Sequence, residues 1–431
     1  MLARGANGQG KTNGTFMSEM RDVLVDAAAK LFGDLCTNQR FEVAERGGFN
    51  DDAWDQLEAA GLTRATVSEA RGGAGADLGD ALALVREAGR VALPLPLADT
   101  LLAEIVLAAA GLPPQSGVGA VGPVVELAPH EAGKGGLTLA KRARGWELSG
   151  TLYRIPSARH ARYLVALALF ESRWTSVVVR NDDLQRAVVK QDANWANEPR
   201  DTLTFKGVVL ATDAVGKPGK GYTPETLKFM GALFRLVAMA GAMGRILRLT
   251  VQYAKDRVQF GRPIGQFQAV QHQLAVLASQ VAAASAAADA VTDAVSRGPA
   301  QFEIAAAKAR IGEAAHIACG IAHQVHGAMG FTYEHELHRS TRRLWAWRDE
   351  FGTEVEWAEW IGQVVARLGG ARLWPFLTSG DKKLPASTRG ALPKKRTLAP
   401  RKAAPGRKPV GKPAIRKSTR KAVAKRLRAK S

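Results

Sequence analysis

The chain has 431 residues, 46% of them hydrophobic; that is enough for several packed units, and no run of about 18 uncharged apolar residues suggests a membrane span. Two scattered cysteines, Cys36 and Cys319, exclude a disulfide framework and predict a reducing, cytoplasmic setting. The formal net charge of +20 belongs to one end: residues 381–431 hold 19 Lys/Arg against a single acid, Asp381, and residues 1–380 hold 41 basic against 39 acidic groups.

Residues 1–17 lack apolar periodicity and read as a disordered leader. Gly5 to Thr12 matches the pattern GxxxxGK[ST]. A phosphate-cradling loop needs a buried strand before it, and only four residues precede this one, so the match is read as accidental. Residues 18–116 read as an N-terminal helical domain. Val23, Leu24, Ala27, Leu31 and Leu35 fall near a 3.6-residue period. Trp54, Leu57 and Leu62 follow, then an apolar stretch through Leu82, Leu84 and Val85. Pro94 and Pro96 interrupt it before Leu101–Ala110.

Residues 117–216 change to short β-rich runs: 121–127, 137–140, 146–149, 163–170, 176–179, 187–189 and 203–209. Strands this short, punctuated by Gly, Asn and Asp, predict a small β-barrel or sandwich. Residues 217–372 return to helix in three long patterns, 226–256, 269–297 and 299–326. The middle one is rich in Ala, and small residues let helices approach closely, so a four-helix-type bundle is expected. Residues 373–431 form a low-complexity tail of Lys, Arg, Ala and Pro, too poor in apolar side chains to offset ordering entropy. The fold class is therefore α+β, in the order helical, β, helical, basic tail.

Two segments stand out. The first runs Tyr253-Ala-Lys-Asp-Arg257-Val-Gln259-Phe260-Gly261-Arg-Pro-Ile264-Gly-Gln-Phe267-Gln268. The second is Gln324-Val-His326-Gly327-Ala328-Met-Gly330-Phe331. Together they resemble the signatures of the acyl-CoA dehydrogenase family, and the helical–β–helical order from about residue 18 to 370 agrees with it. The resemblance implies FAD as cofactor, an acyl-CoA substrate, an electron-transfer flavoprotein as electron acceptor, and assembly into a homo- or hetero-oligomer with a homologue. It sets Arg257, Gln259, Phe260, Ile264, Phe267, Gln268 and Thr353 around FAD. It sets Gln324, Gly327 and Ala328 against the FAD of a neighbouring subunit. A guanidinium in a turn suits a pyrophosphate, which it can grip through two parallel hydrogen bonds. The bland alternative for Arg257 is a surface ion pair with Asp256. His323/His326 and His335/His338 have i,i+3 spacing, but no carboxylate or Cys completes a ligand set, so no metal is expected.

The sequence departs from that family where the chemistry lies. The usual base, which removes the proton α to the thioester, is a Glu before Gly-Thr; here Phe351 precedes Gly352-Thr353. The alternative base position, 26 residues before the arginine, is Gly231, and no acid occurs from Thr226 to Lys255. Where a β-strand of the family carries Trp-Ile-Thr beside the flavin, Arg154-Ile155-Pro156 stands. Two readings stay open. Either Glu350, with Asp349 as second choice, is a displaced base of a working dehydrogenase, or the chain is a non-catalytic partner subunit in a mixed complex. A base needs its pKa raised toward working pH, and Trp345, Trp347 and Phe351 offer apolar surroundings. The opposing reading of Glu350 is an acid ion-paired to the nearby arginines. For the tail, non-specific binding of nucleic acid or another polyanion through residues 381–431, attachment to an anionic surface, and no partner at all are the alternatives. The rival class is a scaffold whose tail binds nucleic acid.

Overall fold

The computed structural model describes residues 9–124, 136–143, 145–379 and 384, with side chains from Arg21 onward. Contacts divide the chain into residues 1–392 and 393–431, and the second unit lies outside the described residues. The reading of the basic tail as disordered, and its binding to polyanions, therefore falls outside them too.

Five helices open the chain: α1 (Gln9–Leu35), α2 (Asn38–Glu45), α3 (Asp51–Ala59), α4 (Leu78–Val91) and α5 (Leu97–Ala110). The apolar spacing of α1 buries Ala28, Phe32 and Leu35 on one face. This helix starts at Gln9, so the expected irregular leader over 1–17 is corrected from there on, and Lys11 and Thr12 are helical. Once a helix has nucleated, extending it costs little. Asp77 and Asp80 form a reciprocal capping box that fixes the start of α4.

Among the described residues the middle region is one sheet of seven strands: β1 (Gly119–Gly122), β2 (Gly136–Arg142), β3 (Gly145–Pro156), β4 (Tyr163–Phe170), β5 (Arg173–Arg180), β6 (Val188–Lys190) and β7 (Arg200–Leu210). A one-turn helix, α6 (Asn181–Leu184), follows β5. The strands pair in the order β1-β4-β2-β3-β7-β6, with β5 on the other edge of β4. Both β1 and β2 run parallel to β4, and the other pairings are antiparallel. The expected barrel or sandwich is met as a curled sheet. Central β4 is buried on both faces from Tyr163 to Ala168, as its unbroken apolar run requires.

The C-terminal helices are α7 (Pro224–Asp256), α8 (Gln268–Arg297), α9 (Gln301–His326), α10 (Leu337–Trp347), α11 (Glu354–Leu368) and α12 (Gly370–Thr378). The hairpin β8 (Val258–Gln259) and β9 (Arg262–Pro263) separates α7 from α8. The tail boundary expected at 373 lies too early: Phe376 is buried and packs edge-on against Phe302, with ring centroids 4.9 Å apart. Helices α7 and α8 are long and apolar enough to cross a membrane by length and composition, with up to two charges in the apolar window. The apolar window of α7 is 78% buried by its own fold, that of α8 only 28%.

Helices α4 and α7 cross in near backbone contact. A Cβ on Gly241 would lie 2.0 Å from Arg86 O, and one on Gly89 would lie 2.1 Å from Ala238 O. Gly241→Ala should therefore lower unfolding free energy by about 1–3 kcal/mol. Gly244→Ala, whose Cβ would meet nothing within 4 Å, should be neutral or gain up to about 1 kcal/mol. Urea unfolding midpoints of the two variants check the contrast.

Candidate functional site

Helix α7 carries two groups of candidate residues. Arg235 and Arg257 lie about 33 Å apart along its axis at 1.5 Å per residue. The structure thus separates the expected cofactor turn from the expected base.

Arg257 caps the C-terminus of α7. Its backbone N–H donates to Tyr253 O, and its carbonyl accepts from Ile264 N. The hairpin between them turns at Phe260 and Gly261, with φ of +54° and +79°, the pair of left-handed values that a tight two-residue hairpin demands. Phe260 consequently projects from the fold and is 93% exposed. Phe267 is half-buried beneath the Arg262 guanidinium, 4.3 Å from its ring. Ile264 is half-buried in the next turn, and Gln259 and Gln268 are exposed. The alternative ion pair for Arg257 is not made: Asp256 accepts from Gln252 Nε2 at 2.8 and 2.9 Å. Among the described residues the exposed Arg257 guanidinium has no carboxylate partner.

The second motif lies beside the first. Tyr253, one turn before Arg257, stacks on His326 with ring centroids 4.4 Å apart. His326 is spent on structure: its Nδ1 pairs with Ala322 O at 2.7 Å, and burial lowers its pKa to about 4. Gln324, Gly327 and Ala328 are exposed at this helix end. Gly327 has φ +58°, and a Cβ there would meet nothing within 4 Å, so the backbone is open to approach. These exposed groups fit a polyanionic dinucleotide: a free guanidinium, amide side chains, an aromatic ring and an open glycine. Thr353 belongs to neither motif. Its hydroxyl accepts from Glu356 N at 3.3 Å as the N-cap of α11.

Glu350 is placed very differently from an acid poised to take a proton. It is buried in the link between α10 and α11. Arg200 Nε of β7 donates to its Oε1 and Arg235 Nε of α7 to its Oε2, both at 2.6 Å. Burial by itself would raise its pKa, but the two guanidinium charges prevail and hold it at about 2. The expectation of a raised pKa is therefore corrected, and the ion-paired reading holds. Its arginine partners are Arg200 and Arg235, however, not the neighbouring Arg342, Arg343 and Arg348. Asp349 is exposed.

The cluster extends on both sides. Arg235 Nη2 donates to Asp99 Oδ1 at 2.7 Å. Arg200 Nη2 reaches Glu198 at 3.0 Å, which also takes Arg343 Nε at 2.9 Å and Trp347 Nε1 at 2.9 Å. Burial raises the pKa of Asp99 against the pull of Arg235. Lys308 of α9 is fully buried and donates to Arg348 O at 2.7 Å and Gly352 O at 3.0 Å, which fixes the same link. Burial lowers its pKa to about 7 against the pull of Asp349 and Glu350. The sequence reading missed Asp99, Arg200, Arg235 and Lys308. Arg235 had a signal: a lone charge inside the apolar run from Gly231 to Gly241 must find a buried partner.

The residues at the two family base positions touch. A Cβ on Gly231 would lie 2.2 Å from the Phe351 ring, and Arg235 Cζ sits 5.8 Å from the centre of that ring. The cavity left beside Asp99, Arg200 and Arg235 is about 90 Å³.

Replacing Glu350 by Gln leaves two buried guanidinium groups short of charge, so Glu350→Gln should cost about 3–5 kcal/mol. The pH dependence follows from the depressed pKa. Glu350 contributes fully above its ordinary value of 4.5, and that stability is lost as pH falls toward 2. Urea unfolding followed across this window should show a steeper acid loss for the parent than for Glu350→Gln.

The family model described as "Acyl-CoA dehydrogenase, N-terminal domain" matches residues 18–115, and "Acyl-CoA dehydrogenase, C-terminal domain" matches residues 225–354. The acyl-CoA dehydrogenase IpdE2 of Mycobacterium tuberculosis is 32% identical over 325 residues, 75% of this chain and 89% of that protein. Among solved structures, the ChsE4–ChsE5 complex of the same organism has a chain that aligns with TM-score 0.71 at 22% identity, covering 81% of this chain and 98% of that one. A variant of the Tcur3481–Tcur3483 steroid ACAD aligns with TM-score 0.71 at 25% identity, covering 81% and 99%. With both signature motifs side by side at the ends of α7 and α9, and with these matches, the chain belongs to the acyl-CoA dehydrogenase family, whose members are flavin-dependent oxidoreductases.

Proposed function

We propose that this chain is one subunit of a mixed acyl-CoA dehydrogenase, contributing contacts to FAD at the Arg257 turn and leaving removal of the substrate α-proton to a homologous partner chain. The observation that carries this reading is the contact between Phe351 and Gly231. Proton removal from the α-carbon needs a carboxylate within hydrogen-bond reach and a pKa raised toward working pH. An aromatic ring stands at one family position for it, and a glycine stands at the other. Glu350, one residue away, has both oxygens engaged and a pKa of about 2, so it is a weak base. The solved ChsE4–ChsE5 and Tcur3481–Tcur3483 structures pair two different chains, which supports a similar arrangement here.

The exposed groups suit the same reading. Arg257, Gln259, Gln324 and Gly327 face outward from this chain, and only 28% of the apolar window of α8 is buried within it. FAD bound there supplies the hydride acceptor of acyl-CoA α,β-desaturation, and by family resemblance its electrons go on to an electron-transfer flavoprotein. In this reading Arg257 would grip the FAD pyrophosphate, and the open backbone at Gly327 would let the FAD of a neighbouring subunit approach closely.

The test measures flavin content and acyl-CoA-dependent flavin bleaching for the chain alone and co-expressed with a homologue that keeps a Glu before Gly-Thr. Bleaching only in the mixed complex is expected. Full bleaching by the chain alone would overturn the division of labour. Arg257→Ala removes a charge-assisted hydrogen bond worth roughly 1.5–3 kcal/mol, so FAD affinity of the complex should fall about ten- to a hundredfold. Flavin retained as tightly as in the parent would remove Arg257 from the site.

A further inference from the structure

A second charged recess lies away from Glu350, where the link between α1 and α2 meets α4, α7 and α10. It is a cavity of about 240 Å³, with Cys36, Phe41, Arg90, Arg245, Glu336 and Arg339 in its wall. Three guanidinium groups thus face one carboxylate. Two of the three have internal partners. Arg90 is chelated by Glu87, through Nε at 2.6 and 2.8 Å and through Nη2. Arg245 Nη2 donates to Glu336 Oε1 at 2.6 Å.

Arg339 has no carboxylate partner among the described residues. Its Nη2 donates to the neutral Asn38 Oδ1 at 2.9 Å, and its guanidinium lies 4.1 Å from the centre of the Phe41 ring. Its Nε is buried without a hydrogen-bond partner. Arg248, one turn beyond Arg245 on α7, lies outside this cavity, in a groove that Asp22, Asp26, Asp289 and Asp293 also line. It lines the adjoining groove together with Arg90 and forms no ion pair among the described residues. Burial, then the charges of Arg90 and Arg245, lower its pKa. At the cavity itself, three arginines, Arg90, Arg245 and Arg339, therefore gather around two acids, Glu87 and Glu336. Like charges so crowded repel, and a buried N–H left unpaired costs about 1–3 kcal/mol.

We propose that this cavity binds a small oxyanion of the phosphate or carboxylate class, gripped by Arg339 and Arg245 with Arg90 behind them. A planar guanidinium presents paired N–H donors that match either group. The volume admits a phosphate or a compact diacid with its water, and it is too small for a nucleotide cofactor. The bound anion would join the N-terminal helices to the bundle, since its ligands come from α4, α7 and α10. The site is independent of the FAD turn and of the choice of base.

Cys36 in the cavity wall provides a local reporter. The Cys36 residue is half-buried and burial raises its thiol pKa to about 12, so it reacts slowly; Cys319 is fully buried and serves as the internal control. Alkylation of the full chain by neutral N-ethylmaleimide is followed by mass spectrometry at constant ionic strength. Inorganic phosphate, pyrophosphate, succinate and citrate are each titrated against chloride. Labelling of Cys36 should slow saturably, by about tenfold at a concentration ten times Kd, because only the free fraction reacts. Protection by the phosphates alone, or by the carboxylates alone, assigns the class. Arg339→Gln and Arg245→Gln should each abolish the protection while Cys319 stays unlabelled. A variant that exposes Cys319 has unfolded, and the parent titration then decides. Labelling as fast in every anion as in chloride, or protection unchanged in the folded variants, overturns the site.

Discussion

The carboxylate of Glu350 between Arg200 and Arg235 is the interaction on which the rest of the molecule turns. It joins the sheet, through β7, to the bundle, through α7, and Arg235 carries the link on to Asp99 of α5. All three structural layers therefore meet at one buried acid. Three carboxylates, Asp99, Glu198 and Glu350, face three guanidinium groups, Arg200, Arg235 and Arg343. Buried charges of this kind are tolerated only in near balance, and each partner removed leaves another uncompensated. The cluster is consequently a poor place for a proton acceptor and a strong one for fixing geometry.

That balance reaches the link between α10 and α11. Lys308 holds the carbonyls of Arg348 and Gly352, and Arg348 pairs with Glu354 at the start of α11. Phe351 is forced inward between these anchors at φ +55°. Gly231 leaves the space its ring enters, since a side chain there would collide with it. The ion pairs and the aromatic contact thus support one another. Together they fill the space between Gly231 and the link.

The other end of α7 follows opposite rules. Arg235 is buried and ion-paired with Asp99 and Glu350, whereas Arg257 is exposed, and Asp256 beside it is bound to Gln252. One helix therefore carries a closed charge cluster and an open cationic turn, about 33 Å apart by its rise. The packing of α4 and α7 through Gly89 and Gly241 keeps that helix in place, so the two ends hold a fixed separation. The buried charge cluster is thus closed, and the arginine turn at the other end of the helix is open.

Much of the fold was legible in the sequence because local periodicity reports it. The 3.6-residue pattern located the long bundle helices, and alternation with turn residues located most strands of the sheet. The arginine turn was legible as well, since its shape depends on consecutive residues from Tyr253 to Gln268. Pairing across the fold was not. Glu350 partners Arg200 and Arg235, which lie 150 and 115 residues away in the chain, and no local pattern encodes such a choice. The sign of its pKa shift depended on it: apolar neighbours alone would have raised the value, and two buried guanidinium groups lowered it. By itself, then, the sequence determined the family, the order of elements and the arginine turn, because these reside in contiguous residues. Only the tertiary structure decided what Glu350 does, because the charge state of a buried acid is set by what folding brings within hydrogen-bond distance.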